Sequence, residues 1–251
     1  MNVLVCVKRV PATGGRIVLT EDERAIDAKF LGFTVSPHEE CAVEEAVRLI
    51  EAHGGSSVVL TLGPPEAEEQ LRDALALGMD RGVLIATEGA ERDPQATAAE
   101  IVEAVRAEAE PLDLLLFGNE SADAGGFQVA IRVARALGLP CVVGAKALEV
   151  RDRTAIIRRE AAGGWEEFEV ALPAVVSVKE GINLPRYPSV PGRLKAKQKP
   201  VERREPAARP ARLELRRLEV PQGRDQQVEI LGEGPEAAPR VVELLRSVGV
   251  V

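Results

Sequence analysis

Residues 112–138 read LDLLLFGNESADAGGFQVAIRVARALG and contain a strand, a polar loop and a helix in succession. Residues 112–117 form an apolar run of strand length, which is typical of a strand covered on both faces. Residues 127–137 place apolar side chains at helical spacing, and Gly125 and Gly126 separate the two elements. The stretch therefore predicts one β-α unit of a parallel sheet.

The same alternation fills the first two thirds of the chain. Further buried strands are predicted at residues 3–7, 57–62 and 82–86, with helices at residues 39–53, 66–77 and 94–108. Repeated β-α units with right-handed crossovers predict an α/β fold with a doubly wound, mostly parallel sheet.

The pattern changes after Cys141. Short strands are predicted at residues 145–150, 155–160, 166–171 and 174–178, with turns at 152–153 and 163–164, which indicates an antiparallel hairpin region. From residue 183 to about residue 222 prolines are frequent and periodicity is weak, so we expect an extended arm, followed by a helix at 237–247. We therefore divide the chain into an α/β domain, residues 1–182, and a C-terminal arm, residues 183–251.

Composition narrows the class of protein. The 251 residues are 45% hydrophobic and carry a net charge of -8, which disfavours a nucleic-acid binder. No run of about 18 apolar residues is present, and the N-terminus lacks a signal-peptide pattern, so no membrane insertion is expected. Three widely spaced cysteines favour reduced thiols and a cytoplasmic location.

The loop in residues 118–129 is a candidate anion site. In an open parallel sheet, ligands bind at the carboxyl ends of the strands. Gly125 and Gly126 allow close backbone approach to a phosphate, and the N–H groups at a helix start favour an anion. Asp123 is a candidate helix cap or an acceptor for a ribose hydroxyl. The alternative is that two glycines only form a tight turn. Neither a GxGxxG after the first strand nor a P-loop occurs.

Other candidate residues favour structural roles. Ser36, Pro37 and Glu39 match a capping box at the start of a helix. His38 is expected to be an exposed residue of the same turn, and two histidines do not suggest a metal site. Cys6 is more typical of a core residue than of a nucleophile.

The predicted arm combines basic and apolar residues. Basic charge is concentrated at Arg186, Arg193, Lys195, Lys197, Lys199, Arg203, Arg204 and Arg209. A solvated linker would explain charge alone. Interleaved apolar residues such as Leu184, Tyr187 and Val190 favour a docking surface.

Four stretches, taken together, resemble the beta subunit of electron-transfer flavoproteins. They are VLVCVKRVP (3–11), CAVEEAVRLIEAHGG (41–55), ALALGMDRGVLI (74–85) and LPAVVSVKEGINLPRYPSVPGRLKAKQKP (172–200). The last is the most specific. The resemblance implies a Rossmann-like, adenine-nucleotide-binding subunit that holds AMP and pairs with an alpha subunit carrying the redox FAD.

The resemblance also implies a set of nucleotide-binding positions. These are Cys6, Lys8, Ser36, Glu39, Leu62, Gly63, Gly118, Asp123, Gly125, Gly126, Phe127, Gln128 and Val129. The loop ESADAGGFQ is shorter than the Asp-rich loop usual in the family.

Docking residues are implied in the same way. The family grips acyl-CoA dehydrogenases and similar donors through a recognition loop and passes electrons to a quinone oxidoreductase. Here the loop corresponds to residues 184–197, with Leu184, Val190, Pro191, Lys195 and Lys197, and Val190 stands where Leu is usual. Glu160 matches a contact to the flavin domain. Thr13 replaces an aromatic residue found near the flavin in some members, and the acidic hairpin signature is weakened at residues 160–163.

Three main hypotheses follow, and a nucleic-acid role for the basic arm is a distant fourth. The first is a non-catalytic electron-carrier subunit of an FAD-containing heterodimer. The second keeps the fold but places a second FAD in the AMP site, as in electron-bifurcating flavoproteins. The third is a stand-alone adenine-nucleotide sensor of the universal-stress type, which leaves residues 172–199 unexplained.

Overall fold

The structure is a computed structural model that describes residues 1–12, 17–88, 92–207, 212–220 and 229–250. Thr13 lies outside the described residues, as do Arg209 of the predicted basic arm and residues 221–222 at its end. The chain divides into two compact units, Met1–Arg217 and Leu218–Val251.

The first unit is built on a nine-stranded sheet with the order β11-β5-β4-β1-β6-β10-β7-β8-β9. Its strands are β1 (Asn2–Val7), β4 (Ser56–Gly63), β5 (Arg81–Ala86), β6 (Leu114–Gly118), β7 (Cys141–Arg151), β8 (Thr154–Ala161), β9 (Gly164–Ala171), β10 (Ala174–Val178) and β11 (Val201–Arg204). The first seven strands in that order pair in parallel, and β8 and β9 are antiparallel. Two short strands, β2 (Val10–Pro11) and β3 (Phe33–Thr34), form a separate antiparallel pair. The predicted α/β class with a mostly parallel sheet is confirmed.

Helices cover both faces of this sheet. They are α1 (Pro37–His53), α2 (Glu68–Leu77), α3 (Pro94–Arg106), α4 (Val129–Leu137) and α5 (Val190–Ala196). Alternate residues of β1 show the two layers: Val3, Val5 and Val7 pack with α1, α2 and α5, whereas Leu4 and Cys6 pack with α3 and α4. Because a strand points successive side chains to opposite faces, its apolar run is buried on both sides.

The order of strands reverses beside β1. The chain runs from β1 to β4 and β5 on one side and then returns to β6 on the other side of β1. Val5 pairs with Val59 of β4 and with Leu116 of β6. The carboxyl ends of β1 and β6 therefore form the crevice in which ligands of doubly wound sheets bind.

One predicted strand lies at a different place in the sheet from the one expected. Ala174–Val178 is not part of the antiparallel region but lies in parallel between β6 and β7, with all five residues buried. Full burial on both faces explains its continuous apolar sequence. β7 joins the two regions, pairing in parallel with β10 through its first half and antiparallel with β8 through its second.

The segment after residue 182 is also more ordered than expected. It contains α5, which packs on α2, and β11, which adds an edge strand to β5. Pro191 occupies the first turn of α5, where its missing N–H costs nothing. The first compact unit thus includes this segment as far as Arg217.

The second unit contains a 3-10 turn, Gly234–Ala237, and helix α6, Ala238–Ser247, where a helix was expected. Val241, Val242 and Leu244 of α6 are exposed. Within the described part of the chain, no helix is long and apolar enough to cross a membrane.

Candidate functional site

The predicted nucleotide-binding residues come from separate parts of the chain and lie together at the crevice. Lys8 follows β1, Leu62 and Gly63 end β4, and Gly118 ends β6. Ser36 and Glu39 lie at the start of α1. Since β4, β1 and β6 are neighbours in the sheet, all of these positions lie at one edge.

Lys8 and Asp123 form an ion pair across the crevice. Lys8 Nζ lies 2.7 Å from Asp123 Oδ2, and both side chains are about one-quarter exposed, at 27% and 23%. Partial burial alone would raise the pKa of Asp123, but the hydrogen bond and charge of Lys8 and the N–H of Ala124 lower it. Asp123 does not cap α4. Lys8 therefore provides a cation at the crevice that a phosphate could share.

Glu39 is a buried carboxyl group at the N-terminus of α1. It accepts a hydrogen bond from the backbone N–H of Ser36 at 3.1 Å, and the predicted capping box is formed. Burial raises the pKa of Glu39 to about 8, outweighing the hydrogen bonds from Ser36 and Lys8 and the charge of Lys8. At neutral pH the group is therefore mainly uncharged and does not repel an anion.

Gly118 is needed for the close approach of α1 to β6. A Cβ atom at this position would lie 2.6 Å from Glu39 Cγ and 3.1 Å from Glu39 N. No side chain fits there without moving the helix start. The glycine thus serves helix packing, which its position after a strand did not reveal.

The loop between β6 and α4 is held to α1. Its Ala122 N–H donates a hydrogen bond to Ser36 Oγ at 2.9 Å. Gly125 has a left-handed backbone with φ of 55°, and a Cβ atom on Gly126 would meet nothing within 4 Å.

Helix α4 begins at Val129, two residues later than predicted, because Phe127 has a φ of 54° and cannot start a helix. Gln128 occupies the N-cap position, and no side chain caps the first turn. The N–H groups at the start of α4, the open face of Gly126 and the Lys8 cation together suit a phosphate.

His38 joins three elements and is not merely an exposed residue. Its Nδ1 accepts a hydrogen bond from the N–H of Glu180 at 2.7 Å, and its Nε2 lies 3.3 Å from Glu120 Oε1. It connects the start of α1 to the segment after β10 and to the loop after β6. The sequence could not show this because the partners are remote in the chain.

A second concave region lies beside β7, β8 and β10. It has a volume of about 290 Å³ and is lined by Asn119, Val143, Gly144, Arg159, Glu160, Ala161, Glu166 and Lys179. Lys179 Nζ lies 3.9 Å from Glu160 Oε2. Trp165, the only tryptophan of the chain, pairs opposite Glu160 and is exposed. The resemblance pointed to Glu160 alone, because Lys179 becomes its neighbour only in the folded chain.

The predicted docking residues lie mainly on and around α5. Val190 and Pro191 begin this helix, Lys195 lies near its end, and Lys197 is its C-cap. Within residues 184–197, here called the docking segment, four large apolar side chains are exposed: Leu184 by 85%, Tyr187 by 95%, Val190 by 73% and Leu194 by 60%. A concentration of exposed apolar groups is a common feature of interaction surfaces.

The described residues do not form an evident catalytic constellation. Burial, with a further contribution from Glu39, raises the pKa of the Cys6 thiol well above its usual value, so the thiol is not activated as a nucleophile. No group of three or more His, Cys, Asp or Glu residues in the described part of the chain could hold a metal ion. The arrangement is suited to binding an anion and a protein partner.

Comparison with known proteins identifies the family of this chain. The family model described as "Electron transfer flavoprotein domain" matches residues 28–209. "Electron transfer flavoprotein subunit beta" of Bacillus subtilis is 36% identical, with 98% of each chain covered. The protein of the same name from Syntrophomonas wolfei is also 36% identical, over 98% of this chain and 96% of that one.

A third relative belongs to a larger assembly. "Caffeyl-CoA reductase-Etf complex subunit CarD" of Acetobacterium woodii is 30% identical over 80% of this chain and 77% of that protein. The family match and the near-complete overlap with two beta subunits are sufficient for an assignment. This chain belongs to the electron-transfer flavoprotein family, among the beta subunits.

Proposed function

We propose that this chain is the non-catalytic subunit of a heterodimer whose alpha subunit holds the redox FAD. It docks acyl-CoA dehydrogenases or similar donors, and the heterodimer passes their electrons to a quinone oxidoreductase of the respiratory chain. The observation that carries the proposal is the docking segment, which exposes four large apolar side chains, two of them on helix α5 and two in the chain just before it. FAD supplies the redox chemistry, and this chain supplies the scaffold and the contact surface.

The crevice beside β1 is proposed to hold AMP in a structural role. The AMP phosphate would bind at the N-terminus of α4 and beside Lys8, because both offer positive charge. Asp123 would accept from a ribose hydroxyl while keeping its contact with Lys8. Glu39 supports anion binding because its raised pKa leaves it mainly uncharged at neutral pH. The open face of Gly126 fits the close approach of a ligand.

The second unit is proposed to wrap the alpha subunit. Helix α6 exposes Val241, Val242 and Leu244 within that unit. A helix with an exposed apolar face gains stability when a partner covers it. Deleting residues 218–251 is expected to weaken assembly with the alpha subunit, measured by the dissociation constant of the heterodimer.

Nucleotide analysis tests the proposal directly. The chain should be co-purified with the alpha subunit, and the FAD and AMP released on denaturation should be quantified. One FAD and one AMP per heterodimer are expected. Two FAD and no AMP would favour the alternative in which a second flavin occupies the crevice. Stable FAD binding by this chain alone, or a homodimer that binds ATP and ignores the alpha subunit, would contradict the carrier assignment.

A further inference from the structure

The N-terminal side of the docking segment is fixed by a buried carboxylate. Glu44 of α1 has a side chain only 2% exposed. Arg186 donates to it from Nε at 2.8 Å, from Nη2 at 3.1 Å and from its backbone N–H at 3.1 Å. The same guanidinium group donates to Glu51 at 2.6 and 3.0 Å. Arg48 also donates to Glu44, at 2.6 Å, and to the carbonyl of Leu184 at 3.3 Å.

The C-terminal side is fixed by a second arginine. Arg72 of α2 donates from Nη1 to the carbonyls of Ala196 and Lys199, both at 2.7 Å. Glu68 orients this guanidinium group by accepting from Nε at 3.1 Å and from Nη2 at 2.9 Å. Because carbonyls at a helix end lack partners within the helix, Arg72 stabilises the end of α5 as a cap does.

Helix α5 also lies directly on α2. Lys199 Nζ donates to the carbonyl of Leu75 in α2, at 3.0 Å, and to the carbonyl of Met79 just after α2, at 2.6 Å. A Cβ atom on Gly192 would lie 2.6 Å from the carbonyl oxygen of Ala76, so only glycine permits this contact distance. The backbone of the segment is thus held on two helices while its apolar side chains point to solvent.

From these contacts we propose that Arg186, through Glu44, and Arg72 are positioning residues that hold the docking segment in its binding shape before a dehydrogenase arrives. The inference rests on the proposed function, since it takes residues 184–197 as the dehydrogenase contact. A loop that is ordered only on binding loses affinity through the entropy of ordering. Fixing it in advance removes that cost.

Two single substitutions test this, each in the complete heterodimer. Arg186→Gln removes the arginine contacts of the segment with Glu44 and Glu51 of α1, and Arg72→Gln removes the contacts of Arg72 with the carbonyls of Ala196 and Lys199. Arg151→Gln is the control, because it removes an exposed ion pair with Glu149 elsewhere in the chain. The measurements are KM and kcat for reduction of the heterodimer by its dehydrogenase, FAD content, and hydrogen exchange of the amides at residues 190–197.

Each positioning variant is expected to raise KM about tenfold with kcat unchanged, because ordering the segment then costs binding free energy. Hydrogen exchange should accelerate at Gly192 and Arg193, whose amides donate to Ser189. FAD content should stay constant, and Arg151→Gln should match wild type. If Arg186→Gln does not assemble, Arg72→Gln decides alone.

Three results would overturn the proposal. The first is faster exchange with an unchanged KM, because docking would then not need a fixed segment. The second is a fall in kcat at constant KM. The third is a rise in KM for Val190→Asp while both positioning variants keep the wild-type KM. The segment would then be the docking site, but Arg186 and Arg72 would not preorganise it. If Val190→Asp also has no effect, the docking function itself fails.

Discussion

Replacing Val190 with aspartate should weaken docking of the dehydrogenase without disturbing the fold. Val190 is 73% exposed and lies at the first position of α5. An acidic residue in the first turn of a helix interacts favourably with the helix dipole, so α5 should persist. The substitution therefore changes the contact surface and not the scaffold.

The magnitude follows from the area that docking can bury. Full burial of a valine side chain is worth about 1.5–3 kcal/mol, and Val190 has 73% of its surface to lose. The lost contact therefore costs about 1–2 kcal/mol. Desolvation of the new carboxylate adds to this, and a total of about 2–3 kcal/mol corresponds to a rise in KM of about 30- to 150-fold. Val190→Ala, which adds no charge, should raise KM only about fivefold, the equivalent of about 1 kcal/mol.

The assay is steady-state reduction of the heterodimer by its dehydrogenase, with heterodimer concentration varied. Gln95→Asp is a matched control, since it makes the same change in net charge at an exposed position of α3, on the opposite face of the sheet from α5. A wild-type KM for Val190→Asp, with full FAD content and an intact heterodimer, would refute the docking assignment. The basic residues nearby would then be a solvated surface.

Three further outcomes are expected. Gly118→Ala should lower the free energy of unfolding by about 1–3 kcal/mol because its Cβ would meet Glu39, whereas Gly164→Ala, with open space around it, should change stability little in the same urea titration. Glu39 has a folded pKa raised to about 8 from 4.5, so its contribution to stability is fully present below pH 4.5 and is lost as the pH rises through 8; Glu39→Gln should remove that loss, and equal pH profiles for both proteins would contradict the assignment. Lys8→Gln should lower the affinity for AMP about tenfold or more, measured by calorimetry on nucleotide-free heterodimer, because a charge-assisted phosphate contact is lost; Arg151→Gln should bind AMP as wild type does, and equal affinity for Lys8→Gln would place the phosphate elsewhere.

Local pattern alone predicted most elements of the first unit. The strands at β1, β4, β5 and β6 and the helices α1 to α4 lie within about two residues of their predicted bounds. Burial on both faces of a strand and on one face of a helix leaves a periodic apolar signal that is visible along the chain. The capping box at Ser36 and Glu39 was visible for the same reason, since its two partners are three residues apart.

The order of the strands in the sheet was harder to predict from the sequence. An apolar run such as Ala174–Val178 predicts a buried strand but does not indicate which strands lie next to it. Its pairing with β6 and β7 depends on residues that are far away in the chain. The sequence after residue 182 is rich in proline, so α5 and β11 were not predicted there. These two elements are stabilised by packing on α2 and pairing with β5, which composition does not show.

The sequence by itself determined the α/β class, the exposed apolar segment and the family. Only the tertiary structure decided which charges meet: Lys8 with Asp123, His38 with Glu120, and Arg186 with Glu44. It also decided that Gly118 serves helix packing. The physical reason is the distance along the chain over which each signal acts. Periodicity and capping involve only a few neighbouring residues. The charged contacts join side chains separated by 82 to 142 positions, and the role of Gly118 depends on the distance between two packed elements.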